Sequence, residues 1–204
     1  MLLTSRHPLQ AGVTLIELMI AVALVGVLLL LGLPDYAEFM RNGRIRNAAE
    51  STALGLKLAR AEAIRRNVPV RFDLVSTLDA GCTQSASTTA WTISLSDPAG
   101  KCDTTPGDMP NSGAPLLRTW INTEGARDVT LKGTNKPAIG TPTSATTVVF
   151  TPMGRISAGA GDLQQIDIAT TATGRNLRIL IDTGGSIFMC DPNIENTNDS
   201  RWCP

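Results

Sequence analysis

Between residues 13 and 33 the chain carries an almost unbroken apolar run, interrupted only by Thr14 and Glu17, and residues 18–33 (LMIAVALVGVLLLLGL) hold no charge. At roughly 1.5 Å of rise per helical residue the run spans about 31 Å, close to the hydrocarbon thickness of a bilayer. It predicts a membrane helix over residues 13–34. A secretory signal peptide would have a shorter apolar region and a small-residue cleavage site after it, whereas Pro34, Asp35 and Tyr36 follow here. Upstream, residues 1–12 form a short polar leader whose one fixed positive charge, Arg6, favours the cytoplasmic side; Arg41, Arg44 and Arg46 beyond the run weaken that bias. Pro34 lacks a backbone donor and is expected to kink the helix without ending it. From residue 35 to about 67 helix formers dominate. Glu50, Leu54 and Leu58 recur at fourfold spacing, Ala61 and Ile64 continue their face, and Glu62 and Arg66 are placed to form an ion pair. That face is expected to pack under a sheet. Arg60, Arg65 and Arg66 read as a solvated basic face, with anionic lipid as the alternative contact.

At Val68 the period changes from helical to alternating, with Val68, Val70, Phe72 and Leu74 on one side and Arg71 and Asp73 on the other, the mark of a strand. Alternation returns at Trp91-Ile93-Leu95, around residues 116–121, at Val129-Leu131, at residues 148–150, at Ile166-Ile168, at Leu177-Ile179-Ile181 and at Ile187-Met189. Turn-rich segments such as Asp97-Pro98-Ala99-Gly100, Pro106-Gly107-Asp108 and Gly159-Ala160-Gly161 separate these runs. The expected fold is α+β: a long N-terminal helix followed by a C-terminal antiparallel β head laid on the helix's second half. Its divisions are a leader (1–12), a membrane helix (13–34), a packed half-helix (35–67) and the head (68–204). A chain of 204 residues suits one head and one helix better than two small cores. No internal repeat is evident.

Charge and composition narrow the function. Lys+Arg and Asp+Glu each number 18, so no net charge draws the whole molecule to nucleic acid. Aromatics make up 4% of the chain, leaving the core to aliphatic residues. The single histidine, His7, lies in the leader, so the rest of the chain lacks the commonest general base. No phosphate loop or nucleophile elbow is present, and Gly159-Ala160-Gly161 lacks a helix start behind it. Asp162, Asp167 and Asp182 read as solvated acids. No enzyme, cofactor or metal is expected. Cys82, Cys102, Cys190 and Cys203 all follow the membrane helix, on the side taken as periplasmic, where disulfides persist. Pairing by proximity joins Cys82 to Cys102 and Cys190 to Cys203, the second closure being worth roughly 3 kcal/mol by loop entropy. A four-thiolate zinc site is the rival reading, but neither pair has the tight spacing such sites favour. Glu17 is the anomaly: a carboxylate near the start of a membrane helix costs roughly 2.5–3.5 kcal/mol on insertion scales unless it finds a partner or sits at headgroup depth.

The octet Gly12-Val13-Thr14-Leu15-Ile16-Glu17-Leu18-Met19 resembles the prepilin signature, a glycine cut site followed by an apolar residue, Thr, Leu, Ile, Glu and Leu. The resemblance implies that prepilin peptidase cleaves between Gly12 and Val13 and methylates the new amine of Val13, and that Glu17 pairs with the N-terminal amine of a neighbouring subunit in a growing fibre. Val13 stands where the family usually has Phe. Pilins also carry a proline at a place similar to Pro34. Further along, Val148-Val149-Phe150-Thr151-Pro152-Met153-Gly154-Arg155-Ile156 resembles the strand and Pro-x-Gly-Arg turn of the GspH/FimT family of minor type IV pilins and pseudopilins. So does Val68-Pro69-Val70-Arg71-Phe72 directly after the helix.

That resemblance implies a structural minor pilin, single-pass in the inner membrane with a periplasmic head, which helps to initiate or cap type IV pilus assembly. Its partners would be other minor and major pilin subunits, prepilin peptidase and the inner-membrane assembly platform. Two alternatives stand: a type II secretion pseudopilin, and a DNA-binding minor pilin for natural transformation. The closed Cys190–Cys203 tail resembles pilus-type subunits more. Relatives of the FimT type bind DNA through a Gly-Arg-x-Arg motif before the terminal cysteine region, whereas here Gly184-Gly185-Ser186-Ile187-Phe188-Met189 precedes Cys190 without an arginine. Gly174-Arg175-Asn176-Leu177-Arg178 lies a strand earlier with an extra spacer, and Asp191, Glu195 and Asp199 face Arg201 alone in the tail. A nucleic-acid partner is therefore not expected.

Overall fold

The computed structural model describes residues 12–107, 116–121, 128–136, 141–157, 159, 162–170 and 175–204, with the side chains of residues 29–35 outside that description. One helix, α1 (Leu15–Arg66), opens the fold. Thr14 precedes it as an N-cap: its Oγ1 accepts the Glu17 N–H at 3.4 Å, and its carbonyl accepts the Leu18 N–H at 3.2 Å. A Thr followed three residues later by Glu is the arrangement that satisfies the otherwise orphaned donors of a first helical turn. The helix stops at Asn67, whose φ of 55° is a left-handed conformation that asparagine tolerates at a helix end. Arg65 and Arg66 occupy the last turn, where cations complement the helix dipole.

The chain divides into two compact units, Met1–Phe39 and Met40–Pro204. In the first, the described part of α1 exposes its apolar side chains. Among the described residues no helix is long and apolar enough to cross a membrane. The kink expected at Pro34 and the end of the predicted membrane run fall on residues 29–35, outside the described side chains, and the leader through residue 11 is likewise outside the described residues.

The second unit holds the β head. Its strands are β1 (Val70–Val75), β2 (Ser87–Thr88), β3 (Ala90–Ser94), β4 (Leu116–Ile121), β5 (Val129–Thr134), β6 (Thr147–Phe150), β7 (Gln165–Thr170), β8 (Leu177–Ile181) and β9 (Ile187–Cys190). They form a four-stranded sheet in the order β4-β3-β1-β6 and a five-stranded sheet in the order β2-β5-β7-β8-β9. Every strand pair is antiparallel, with Phe72 opposite both Ile93 and Val148, and Ile166 opposite Ile179. Eight strands follow the alternation of the sequence; β2 is too short to show a period, and Val68 lies outside β1, 40% exposed.

Both sheets and the helix share one core, in which Phe72, Ile93, Val148 and Phe150 meet Leu131, Ile166, Ile168 and Ile179. The helix contributes Ile45, Ala48, Ala49, Ala53, Leu56, Ala59 and Ala63 to it. This differs in part from the expected face: Leu58 packs partly buried against the core, but Leu54 is 67% and Ile64 51% exposed, and Glu50 and Ala61 are also exposed. The physical reason is close approach. A Cβ on Gly55 would lie 2.6 Å from the Trp91 ring, so at that crossing small residues let the sheet reach a distance at which a larger side chain would be overpacked. Trp91 in turn packs against Phe72 at 5.2 Å and Trp120 at 5.9 Å between ring centroids.

The four-stranded sheet is covered on its other side too. Val75, Ala90, Cys82 and Cys102 form a small second cluster, and the Cys82–Cys102 disulfide closes the segment that lies there. Beside it Asp73 is completely buried. Its carboxylate accepts from Arg71 Nη2 at 2.9 Å, from Gln84 Nε2 at 3.2 Å and from the Thr147 hydroxyl. The hydrogen bond to Asp73 raises the Arg71 pKa further above its ordinary value, against the opposing effect of burial. The polar side of β1 is thus an interior face carrying a paired charge, which only a full set of partners makes tolerable.

The ion pair expected at the helix end is present and shared. Glu62 accepts from Arg66 Nε and Arg65 Nη2, each at 2.7 Å. The Arg65 hydrogen bond is the largest influence holding the Glu62 pKa below its usual value of 4.5, with desolvation opposing and Arg66 assisting. A depressed carboxylate contributes stability above its unfolded pKa and loses it as pH falls through the folded one. Unfolding titrations should therefore show an acid-side loss of stability beginning below about pH 4.5 that shrinks in Glu62→Gln; an unchanged acid limb would refute the assignment.

Candidate assembly site

Two regions combine chemistry with exposure. The first is the start of α1. Val13 is 72%, Leu15 77%, Ile16 66% and Leu18 60% exposed, and every large apolar side chain onward to Leu28 is more than half exposed. Glu17 stands alone among them as a charged residue, exposed, in the first helical turn. Gly12 and Val13 precede the helix, with open space around the Gly12 Cα. A solvent-exposed apolar surface of this kind is stable only against lipid or another protein surface.

The second region is a junction of two turns. One follows β6, where the Thr151 carbonyl accepts the Gly154 N–H at 2.8 Å and the Arg155 carbonyl accepts the Thr151 N–H at 2.8 Å. The other joins β8 to β9, with the Asp182 carbonyl accepting the Gly185 N–H at 2.7 Å. Gly154 and Gly185 have φ of +74° and +80°, a region open chiefly to glycine. The turns interlock: a Cβ on Gly185 would lie 2.0 Å from the Gly154 carbonyl oxygen, and one on Gly154 would lie 2.9 Å from Ile64 Cδ1. Arg60 Nε donates to that same carbonyl at 2.8 Å. Arg60 is therefore a tether between the helix and a strand turn, not a member of a solvated face, and Arg66 is also largely covered, its side chain 11% exposed.

Three arginines of the C-terminal strands and tail are each paired with a carboxylate. Arg175 pairs with Asp191 at 2.8 Å, Arg178 with Asp167 at 2.6 Å and Arg201 with Asp199 at 2.8 Å. The Arg201 hydrogen bond is the chief cause lowering Asp199 to about 2. A shallow groove of about 590 Å³ beside β8 and β9 is lined by Lys136, Leu180, Asp182 and Phe188; Lys136 Nζ already donates to the Pro204 carbonyl at 3.0 Å. All four cysteines are in disulfides, the second joining Cys190 to Cys203, which removes the thiolates a zinc site would need. Among the described residues no cluster of acids, histidines or cysteines could hold a metal ion. His7, Gly174, Gly161 and Asp108 lie outside the described residues. The interlock of Gly154, Gly185 and Arg60 was missed by sequence reasoning, although the Pro-x-Gly-Arg and Gly-Gly turns were visible; their meeting depends on pairing far along the chain.

Comparison with known proteins supplies the family. Residues 8–33 match the prokaryotic N-terminal methylation motif. No curated protein matches the chain. Two crystal structures of the type IV minor pilin FimU of Pseudomonas aeruginosa (strain PAO1) are similar. One is 20% identical, with a TM-score of 0.43, covering 74% of this chain and 91% of that one. The other is 18% identical, with a TM-score of 0.41, covering 71% and 90%. Residues 48–185, running from the packed half of α1 to the β8–β9 turn, match the model of the type II transport protein GspH family, and the chain belongs to that family.

Proposed function

We propose that this protein is a minor subunit of a type IV pilus that helps to initiate or cap fibre assembly. Membership of the GspH family and the methylation motif support the broader reading, a minor pilin or pseudopilin of a pilus or type II secretion system. The observation that carries the proposal is the exposed apolar start of α1, bearing a single carboxylate five residues after Gly12. Cleavage between Gly12 and Val13 by prepilin peptidase would create an amine, methylated on Val13, at the tip of this helix. While the subunit waits in the inner membrane, residues 13–34 supply the anchor and the head lies in the periplasm. In the fibre the same surface packs on neighbouring helices, and Glu17 meets the amine of an adjacent subunit. Each charge then relieves the other's desolvation. The head, with its Cys190–Cys203 loop, faces other minor and major pilins and the assembly platform.

DNA capture is the weaker reading, because Arg175, Arg178 and Arg201 are each bound to a carboxylate and would have to give up that partner to meet phosphate. A shift assay at low salt tests it. The proposal itself is tested by mass spectrometry of fibres sheared from the native cell surface. The expected finding is a peptide beginning at N-methylated Val13. An intact leader, or a different start, would sink the assignment; a processed chain present in membranes and never in fibres would favour a secretion pseudopilin.

A further inference from the structure

The interlocked turns carry an unbalanced charge. From Arg44 with Asp128 to Arg201 with Asp199, arginine after arginine in the second unit pairs with a carboxylate. Three cations at the interlock do not. Arg60, half-buried, donates to the Gly154 carbonyl, and Lys57 and Arg155 are exposed with no carboxylate partner among the described residues. Lys57 and Arg60 are neighbours three apart on α1, and Arg155 follows Gly154 in the turn that Arg60 holds. Asp182, the acid on the facing turn, accepts the Gly184 N–H at 3.1 Å and pairs with none of the three. Cations gathered without a counter-charge favour an anionic partner and steer its approach.

Apolar side chains stand among these cations. Leu54 is 67% and Ile64 51% exposed, three residues before Lys57 and four after Arg60, and Met153 is 85% exposed on the turn that Ile64 touches. All six residues belong to the second unit. Gly154, Gly185 and Arg60 already fix the turn, so little ordering remains to be spent on binding. We infer that this patch docks an acidic segment of a different subunit of the fibre, with carboxylates against Lys57, Arg60 and Arg155 and apolar side chains against Leu54, Ile64 and Met153. A phosphate backbone would match the cations but leave the three apolar side chains wet, and the patch offers a base no aromatic ring to stack on. The neighbour is of another kind because a subunit that starts or caps a fibre lies against subunits unlike itself. The inference rests on the proposed function and adds to it the docking surface and the chemistry of the partner.

The test places a photo-crosslinking residue in the full-length chain, Met153→p-benzoylphenylalanine, in cells that assemble the fibre. After irradiation, mass spectrometry is expected to find it joined to a different processed subunit, on a peptide carrying Asp or Glu beside the attachment point. Adding Lys57→Glu and Arg155→Glu should lower the yield several-fold, and changing the partner's carboxylates to lysine should restore it. Lys57→Arg with Arg155→Lys should leave the yield unchanged. Arg60 is kept throughout because it holds the turn, and intact native disulfides, checked by mass, establish folding. A crosslink to a second copy, to lipid or to nucleic acid would overturn the inference, as would one indifferent to the charge reversals. Methylated Val13 in fibres without any crosslink would refute this contact and leave the proposed function standing. The charge-dependent crosslink to a secretion subunit would do the reverse, keeping an acidic neighbour at this patch and refuting the pilus.

Discussion

Replacing Arg71 with alanine is expected to destabilise the full-length protein by about 3 kcal/mol, towards the lower end of the cost of stripping a buried ion of its partner. Asp73 is fully buried, while Arg71 keeps 25% of its side chain exposed, so water reaches the pair from one side only. Removing the guanidinium leaves the carboxylate with the Gln84 amide and the Thr147 hydroxyl, which cannot neutralise it. The double variant Arg71→Met/Asp73→Leu should recover most of the loss, because a hydrophobic pair of similar volume avoids the desolvation altogether. Urea unfolding in detergent micelles reads both. A cost below about 1 kcal/mol for the single variant would refute the Arg71–Asp73 pair as a main support of the head.

Gly185→Ala is expected to be at least as damaging, at about 3–4 kcal/mol, from two causes that act together. The residue sits at φ +80°, where a Cβ costs roughly 1–2 kcal/mol. The added methyl group would also lie 2.0 Å from the Gly154 carbonyl oxygen, so the two turns must separate, and the Arg60 hydrogen bond to that oxygen goes with them. Gly184 provides the control. Its Cβ would meet only Asp182 Oδ2, at 3.2 Å, and Gly184→Ala should cost less than about 1 kcal/mol. Equal losses at the two positions would show that the interlock does not hold the turns together.

Much of the head was legible residue by residue. Alternation located β1 at Phe72 and Leu74, β3 at Trp91 and Ile93, and β7 and β8 at Ile166, Ile168 and Ile179, because a strand with one buried face must repeat every second residue. The alternation could not reveal that Asp73 faces an interior. That depends on the Cys82–Cys102 segment folding over the second side of the sheet, and no periodicity records what covers a face. The helix misled for a related reason. Leu54 and Ile64 are the more apolar residues, but the sheet approaches along Ala48, Ala49, Gly55 and Ala59, where small side chains permit contact. Apolarity marked only part of the buried face, Leu58, because closeness of packing as well as hydrophobicity per residue decided which side chains were buried.

Sequence by itself determined the long helix, the Gly12-to-Glu17 signature, the strand positions and the four cysteines placed for two local disulfides. These are local features, set by period and short loops. Tertiary structure alone decided the division into two sheets, the alanine face of the helix, the burial of Asp73, and the meeting of Gly154 and Gly185 over Arg60. Each of these rests on residues far apart in the chain, and which distant surfaces come into contact is settled by shape and by the pairing of buried polar groups, neither of which a linear pattern carries.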